Sequence, residues 1–169
     1  MELIAANARI NVKPAEVLTA LTTTDGFRHW WTDDAEVGRD IGAPAIFRFG
    51  TIEVTFLIDR IDRHGIEMTC VDHKNYPEWL DTHLAFRVTP DGEGAYVDML
   101  HDGFRDKNGC YAQCVERWNH YLTSLRAYCE TGRGTPQLRP PLSAPTAERR
   151  AENSEVAAVE PAVSRQPYI

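Results

Sequence analysis

No run of the 169 residues is both long and apolar enough to span a bilayer. The amino terminus, Met1-Glu2-Leu3-Ile4-Ala5-Ala6, has neither the basic region nor the cleavage pattern of a secretory signal. The expected location is cytoplasmic, without membrane insertion. Basic clusters are missing as well: 18 Lys and Arg stand against 25 Asp and Glu, a net charge of −7. That balance argues against a phosphate-tracking surface, so no nucleic acid partner is expected. The four cysteines, Cys70, Cys110, Cys114 and Cys129, form neither a CxxC pair nor a finger-like set, and Cys110 and Cys114 are simply i,i+4. Small buried thiols in a reducing compartment are the simpler reading. His29, His64, His73 and His120 have no ligand spacing, so neither a metal nor a cofactor is expected. No glycine-rich loop precedes a helix, because Gly132-Arg133-Gly134 follows one, and no G-x-S-x-G elbow or Cys–His pairing can be proposed from order alone.

What the chain does have is one long amphipathic stretch, residues 108–131. At about 100° per residue, Tyr111, Cys114, Leu122, Leu125 and Cys129 fall within roughly 40° of Trp118. Val115 widens this stripe on one side, and Cys110, Tyr121 and Tyr128 on the other. Gln113, Glu116, Asn119, His120, Thr123 and Glu130 take the opposite face, which should meet water. Asn108 is the expected N-cap, Gly132 the left-handed stop, and Pro136 prevents resumption. Such a helix is roughly 30 Å long and needs a broad surface beneath it.

The preceding chain supplies one. Ile4, Ala6, Ala8, Ile10 and Val12 alternate along a first strand, which Lys13-Pro14 ends. Pro14 opens a short helix through Val17, Leu18 and Leu21, and Thr24-Asp25 is expected to cap a second over Gly26 to Trp31. From Asp34 to Phe104 six short β-rich runs separated by turn residues predict an antiparallel meander. In its last hairpin, a loop at Asp91-Gly92-Glu93-Gly94 pairs Val88 with Val97, Phe86 with Met99 and Leu84 with His101, and sets Arg87 against Asp98 and His83 against Asp102. A one-residue slip would oppose Phe86 to Asp98 and lose both the charge pair and the apolar continuity.

The expected fold is therefore α+β, a curved antiparallel sheet in the order β-α-α-β6-α wrapped around a long C-terminal helix. Residues 1–134 form this domain. Residues 135–169 hold six of the ten prolines and a single aromatic, Tyr168, and are expected to be mostly disordered, with one weak amphipathic turn at Val156 and Val159.

Several motifs carry a family resemblance across roughly residues 1 to 136. They are Val12-Lys13-Pro14-Ala15-Glu16-Val17, Trp30-Trp31, Phe47-Arg48-Phe49-Gly50, His101-Asp102-Gly103-Phe104, Trp118-Asn119-His120-Tyr121-Leu122-Thr123-Ser124-Leu125, and the run from Glu130 to Pro136. The chain resembles the START-like, birch-pollen-allergen superfamily (SRPBCC), in the branch of the C-terminal domain of the activator of heat-shock protein 90 ATPase. The resemblance implies a helix-grip fold with an apolar cavity between sheet and helix. Members bind lipids, polyketides or other hydrophobic small molecules, some act as cyclases or hydrolases, and others assist a chaperone. The resemblance does not extend to the N-terminal domain of the chaperone activators.

The expected function is binding of a hydrophobic, lipid- or polyketide-like molecule between sheet and helix, rather than catalysis. The candidate ligand-binding residues are Trp31, Phe47, Phe49, Phe56, Met68 and Phe86 on the sheet side, with Met99 and His101 from the last strand. Tyr111, Cys114, Trp118 and Tyr121 are the candidates from the helix. Taken singly, each aromatic is more simply a core residue. His101 is the polar candidate, as an acid or base in a polyketide cyclase or hydrolase or as a donor to a ligand, although a partly exposed ring bonded to a neighbouring backbone group or Tyr is the simpler reading. Trp79, after Tyr76-Pro77-Glu78, sits where a loop could cover the cavity mouth or pack as an ordinary edge. A chaperone partner is the third reading, and monomer and homodimer both remain open.

Overall fold

A computed structural model of the chain describes residues 1–138. The turn expected at Val156 and Val159, and the tail from residue 139 onward, lie outside the described residues. The elements follow as β1 (Glu2–Ile10), α1 (Pro14–Thr22), α2 (Thr24–Trp30), β2 (Asp34–Val37), β3 (Pro44–Phe49), β4 (Ile52–Asp62), β5 (Gly65–His73), a 3₁₀ turn (Pro77–Trp79), β6 (His83–Asp91), β7 (Gly94–Phe104) and α3 (Tyr111–Thr131). The seven strands make one antiparallel sheet in the order β1-β7-β6-β5-β4-β3-β2. The meander closes on itself only in the sense that β1 lies against β7, and α3 lies in the concave face. The protein is an α+β helix-grip fold.

The β6–β7 register is the expected one: Val88 faces Val97, Phe86 faces Met99, Leu84 faces His101, and Arg87 faces Asp98. Two details differ. Asp91 still pairs with Gly94, so the turn shortens to Gly92-Glu93. Arg87 makes its ion pair diagonally, with Glu67 of β5 at 3.3 Å, because a long side chain reaches a neighbouring strand as easily as its direct opposite.

Three helix boundaries also shift. The cap of α2 is Thr23, whose Oγ1 accepts from the Gly26 amide at 3.0 Å. Thr24 instead bonds β2, its Oγ1 accepting from Val37 N at 2.8 Å. The second helix accordingly ends at Trp30, and Trp31 lies just beyond it. Asn108 does not cap α3, because Gly109 takes a left-handed φ of +62° and breaks the helical path after it. The Cys110 amide is met from a distance by Glu78 Oε1 at 3.2 Å, so a tertiary carboxylate replaces the local cap. At the other end Gly132 stops the helix at φ +80°, as expected.

Cys114, Trp118, Tyr121, Leu122 and Leu125 are buried on α3, which matches the centre of the apolar stripe. Ser124 is buried too, and its Oγ donates to Trp30 O at 2.7 Å while accepting from Thr135 N at 2.7 Å. The chain then continues in register past residue 134: Gln137 N donates to Trp31 O at 2.9 Å, and Asp33 N donates to Gln137 O at 3.0 Å. Residues 133–137 thus form a short strap over the Trp31–Asp33 segment.

Each sheet edge has part of its free backbone engaged by a side chain. On the β1 side, Tyr111 Oη donates to Leu3 O at 2.7 Å. On the β2 side, Arg28 Nε donates to Ala35 O at 3.0 Å. Under the middle of the sheet, rings fill the interior: Trp30 against Trp31 at 5.9 Å, Trp31 against Phe47 at 4.2 Å, and Trp118 against both Trp31 at 5.1 Å and Phe86 at 5.7 Å.

Candidate functional site

Packing fails to fill one end of the space between sheet and helix. A cavity of about 50 Å³ opens to solvent there, with an overwhelmingly apolar lining. The sheet contributes Phe49, Ile52 and Val54 from the β3–β4 hairpin. The segment after β5 contributes His73, Tyr76 and Trp79, and Trp31 lies at the back. The helix wall is Cys110, Gln113, Cys114, Arg117, Trp118 and Tyr121. Their spacing, i, i+3, i+4, i+7, i+8, i+11, is one face of a helix, rotated from the stripe that packs on the sheet through Leu122 and Leu125. A cavity of this size holds several waters or one small apolar group, well below the ~300–1,000 Å³ of pockets that enclose drug-sized ligands.

Of the sequence-derived candidates, Trp31, Phe49, Cys114, Trp118 and Tyr121 come together at the cavity, and Trp79 stands in its wall. The structure does not bring Phe47, Phe56, Met68, Phe86, Met99, His101 or Tyr111 to the lining. Phe47, Phe56, Met68, Phe86 and Met99 are buried in the core, where the rings of α2 and the body of α1 cover the sheet centre. Alternation had assigned these side chains to the concave face but not to a place along it. Tyr111 is turned to the β1 edge, with its ring edge-on to Phe104 at 5.6 Å.

Against the expectation of a partly exposed ring, His101 is fully buried, and its ring nitrogens are engaged by Trp118 and Thr82 rather than by backbone or Tyr. Trp118 Nε1, which only donates, bonds His101 Nδ1 at 3.2 Å. The ring proton therefore sits on Nε2, which donates to Thr82 Oγ1 at 2.9 Å, and the Thr82 hydroxyl in turn donates to Trp79 O at 2.6 Å. Burial pushes the His101 pKa down to about 3, with nearby His83 adding to the effect. This neutral relay ties α3 to β7 and to the turn that carries Trp79. An acid–base step would need a free nitrogen facing the cavity, and His101 presents none.

His73, whose position in the sequence fits no ligand spacing, is the imidazole in the cavity wall. It ends β5, and its Nδ1 accepts from Asn75 N at 3.2 Å and from Tyr76 N at 3.1 Å, folding the chain back toward Trp79. Two backbone donors on Nδ1 leave the proton of the neutral ring on Nε2. Burial lowers its pKa, opposed by the charges of Glu78 and Asp72. Beside it, Trp79 Nε1 donates to Cys110 Sγ at 3.1 Å, and the Cys114 thiol bonds Cys110 Sγ at 3.3 Å. Burial pushes the Cys114 thiol up to about 12, so it stays protonated. The Arg117 charge acts on both Cys114 and Tyr121, favouring their ionised forms against burial.

Among the described residues, no group of three or more His, Cys, Asp or Glu is placed to hold a metal ion. No helix among them is long and apolar enough to cross a membrane.

Known structures share this architecture. The Aha1 dimer from Colwellia psychrerythraea is 26% identical, with a TM-score of 0.72 over 79% of this chain and 100% of its own. DynU16, from the dynemicin biosynthetic locus, is 16% identical with a TM-score of 0.71, over 82% of this chain and 51% of its own. CalU16 from Micromonospora echinospora is 15% identical with a TM-score of 0.65, over 90% and 82%. At those identities the last two speak for the fold alone. No curated protein matches the sequence. The family model for activator of Hsp90 ATPase homolog 1-like protein matches residues 11–130, from the end of the first strand almost to the end of α3, and the chain belongs to that family.

Proposed function

We propose that the protein binds a small apolar molecule in the cavity between the β3–β4 hairpin, residues 73–79 and the first turns of α3. The observation that carries this reading is an apolar, solvent-open space walled by Trp31, Trp79, Trp118 and Tyr121. Toluene, a ring without polar groups, is the probe. Titration followed by tryptophan fluorescence should saturate, because three of the four tryptophans form the wall. Cys114→Phe, which fills the space from the helix side, should abolish saturation while leaving the far-ultraviolet circular dichroism unchanged. A response that rises linearly in both proteins would sink the proposal.

A cyclase or hydrolase built on His101 is the weaker reading, since both of its nitrogens are committed to Trp118 and Thr82. A chaperone-associated role has a specific observation in its favour, the family membership and the likeness to a dimeric Aha1. It predicts that the full chain raises the ATPase rate of an Hsp90 at least about twofold. An unchanged rate at saturating protein would remove it. All four cysteines are free, in keeping with a reducing, cytoplasmic setting.

A further inference from the structure

The cavity has a polar side that its apolar lining does not explain. No Asp or Glu is among its walls, whereas Arg117, Gln113 and His73 are. Gln113 and Arg117 are i,i+4 on α3 and both exposed, so their head groups share one rim. Among the described residues, Arg117 makes neither an ion pair nor a hydrogen bond. Arg48, by contrast, is held by Asp34, Glu36 and Glu53. His73 spends Nδ1 on two backbone amides, and among the described residues no group takes its Nε2 proton. Of the two carboxylates that act on His73, Glu78 is turned to the Cys110 amide at 3.2 Å, and Asp72 is exposed on β5. Among the described residues that line the cavity, the strong polar side chains can therefore all donate, and Arg117 carries the full charge.

We propose that the cavity takes a monocarboxylic acid, its apolar body between Trp31, Trp118 and Tyr121 and its carboxylate held by Arg117, with Gln113 and His73 Nε2–H as further donors. The inference rests on the ligand-binding reading above and names the class of ligand. A planar guanidinium matches a carboxylate with two parallel hydrogen bonds, and a charge-assisted bond at the edge of an apolar space is stronger than a neutral one. One fixed positive charge balances one negative charge, so a monoanion fits better than a phosphate dianion. The protein as a whole carries −7, so general attraction of anions is absent and a preference for acids must arise locally.

The test compares phenylacetate with phenylacetamide, equal in shape and different in charge, by isothermal titration calorimetry against the full chain. Phenylacetate should bind about tenfold more tightly. Arg117→Gln, at an exposed position where folding is not at risk, should bring the two ligands within about twofold of each other by weakening the acid alone. His73→Asn keeps an acceptor for the Asn75 and Tyr76 amides but loses the Nε2 donor, and should weaken the acid about threefold. Equal binding of acid and amide to the natural protein would overturn this inference and leave the cavity reading standing. So would an acid preference untouched by Arg117→Gln. If toluene, phenylacetate and phenylacetamide all fail to bind, both readings fall together.

Discussion

His101 and His73 are both imidazoles near one helix, and their surroundings give them different work. His101 is closed off at 0% exposure, accepts from Trp118 and donates to Thr82, so its value is that it stays neutral. Its pKa of about 3 in the fold, against an ordinary value of 6.5, fixes the sign of a pH effect. Between those limits the unfolded chain binds a proton that the folded chain refuses. Stability is therefore complete above pH 6.5 and falls as the pH drops toward 3, by up to about 1.4 kcal/mol per pH unit from this residue. His73, also held below its ordinary value by burial, acts in the same direction. Urea denaturation between pH 7.5 and 4 should show the decline, and His101→Phe should flatten it. That variant leaves the Trp118 N–H without its partner and should cost about 1–3 kcal/mol at pH 7.5. A slope equally steep in His101→Phe would mean that other groups cause it. Nothing in the sequence near His101 announced this burial: its alternation placed it on the concave face, while the Trp118 and Thr82 partners come from elements 17 and 19 residues away.

Among the elements, α3 was the most legible and its surroundings the least. A 3.6-residue period repeated over 21 residues gives the packing face unambiguously, and Leu122, Leu125 and Trp118 obey it. Its start was missed because a good cap residue, Asn108, is followed by a glycine that leaves the helical path, and because Glu78, from 32 residues earlier, does the capping. The strap after Gly132 has no sequence signal for a related reason. Short polar and Pro-containing segments show no period, yet here one is fixed by Ser124 Oγ and by the backbone of Trp31 and Asp33. Since Trp31 forms the back of the cavity, the strap supports the site from behind. A chain ending at Gly132 should be about 2 kcal/mol less stable than one ending at Leu138, chiefly for the loss of the hydrogen bonds to Ser124 Oγ, Trp31 O and Asp33 N, at about 0.5–1.5 kcal/mol each. Guanidinium denaturation of the two chains measures this, and equal midpoints would show that the strap adds nothing.

For the molecule as a whole, the sheet supplies a broad curved surface and α3 a long stripe to fill it, while α1 and α2 decide how much of the interior remains open. Phe27, Trp30 and Trp31 press into the centre, with Phe27 at 5.0 Å from Phe47 and Trp30 at 5.7 Å from Phe86, and the remaining gap is displaced to the end bounded by Tyr76 and Trp79. This is why Phe86 and Met99, on the expected face, do not line that gap, and why Cys110, Gln113 and Arg117, on a neighbouring helical face, do. The sequence by itself determined the strands, their inward faces, the β6–β7 register and the apolar stripe of α3. Each of these is set by short-range periodicity and by the loss incurred when a register slips. Only the tertiary structure decided where the cavity lies, that His101 is consumed as a neutral tie, and that His73 and Arg117 share the rim with no carboxylate in the lining. A cavity is a place where elements distant in sequence fail to fill the space between them, and that mismatch has no local signature in the chain.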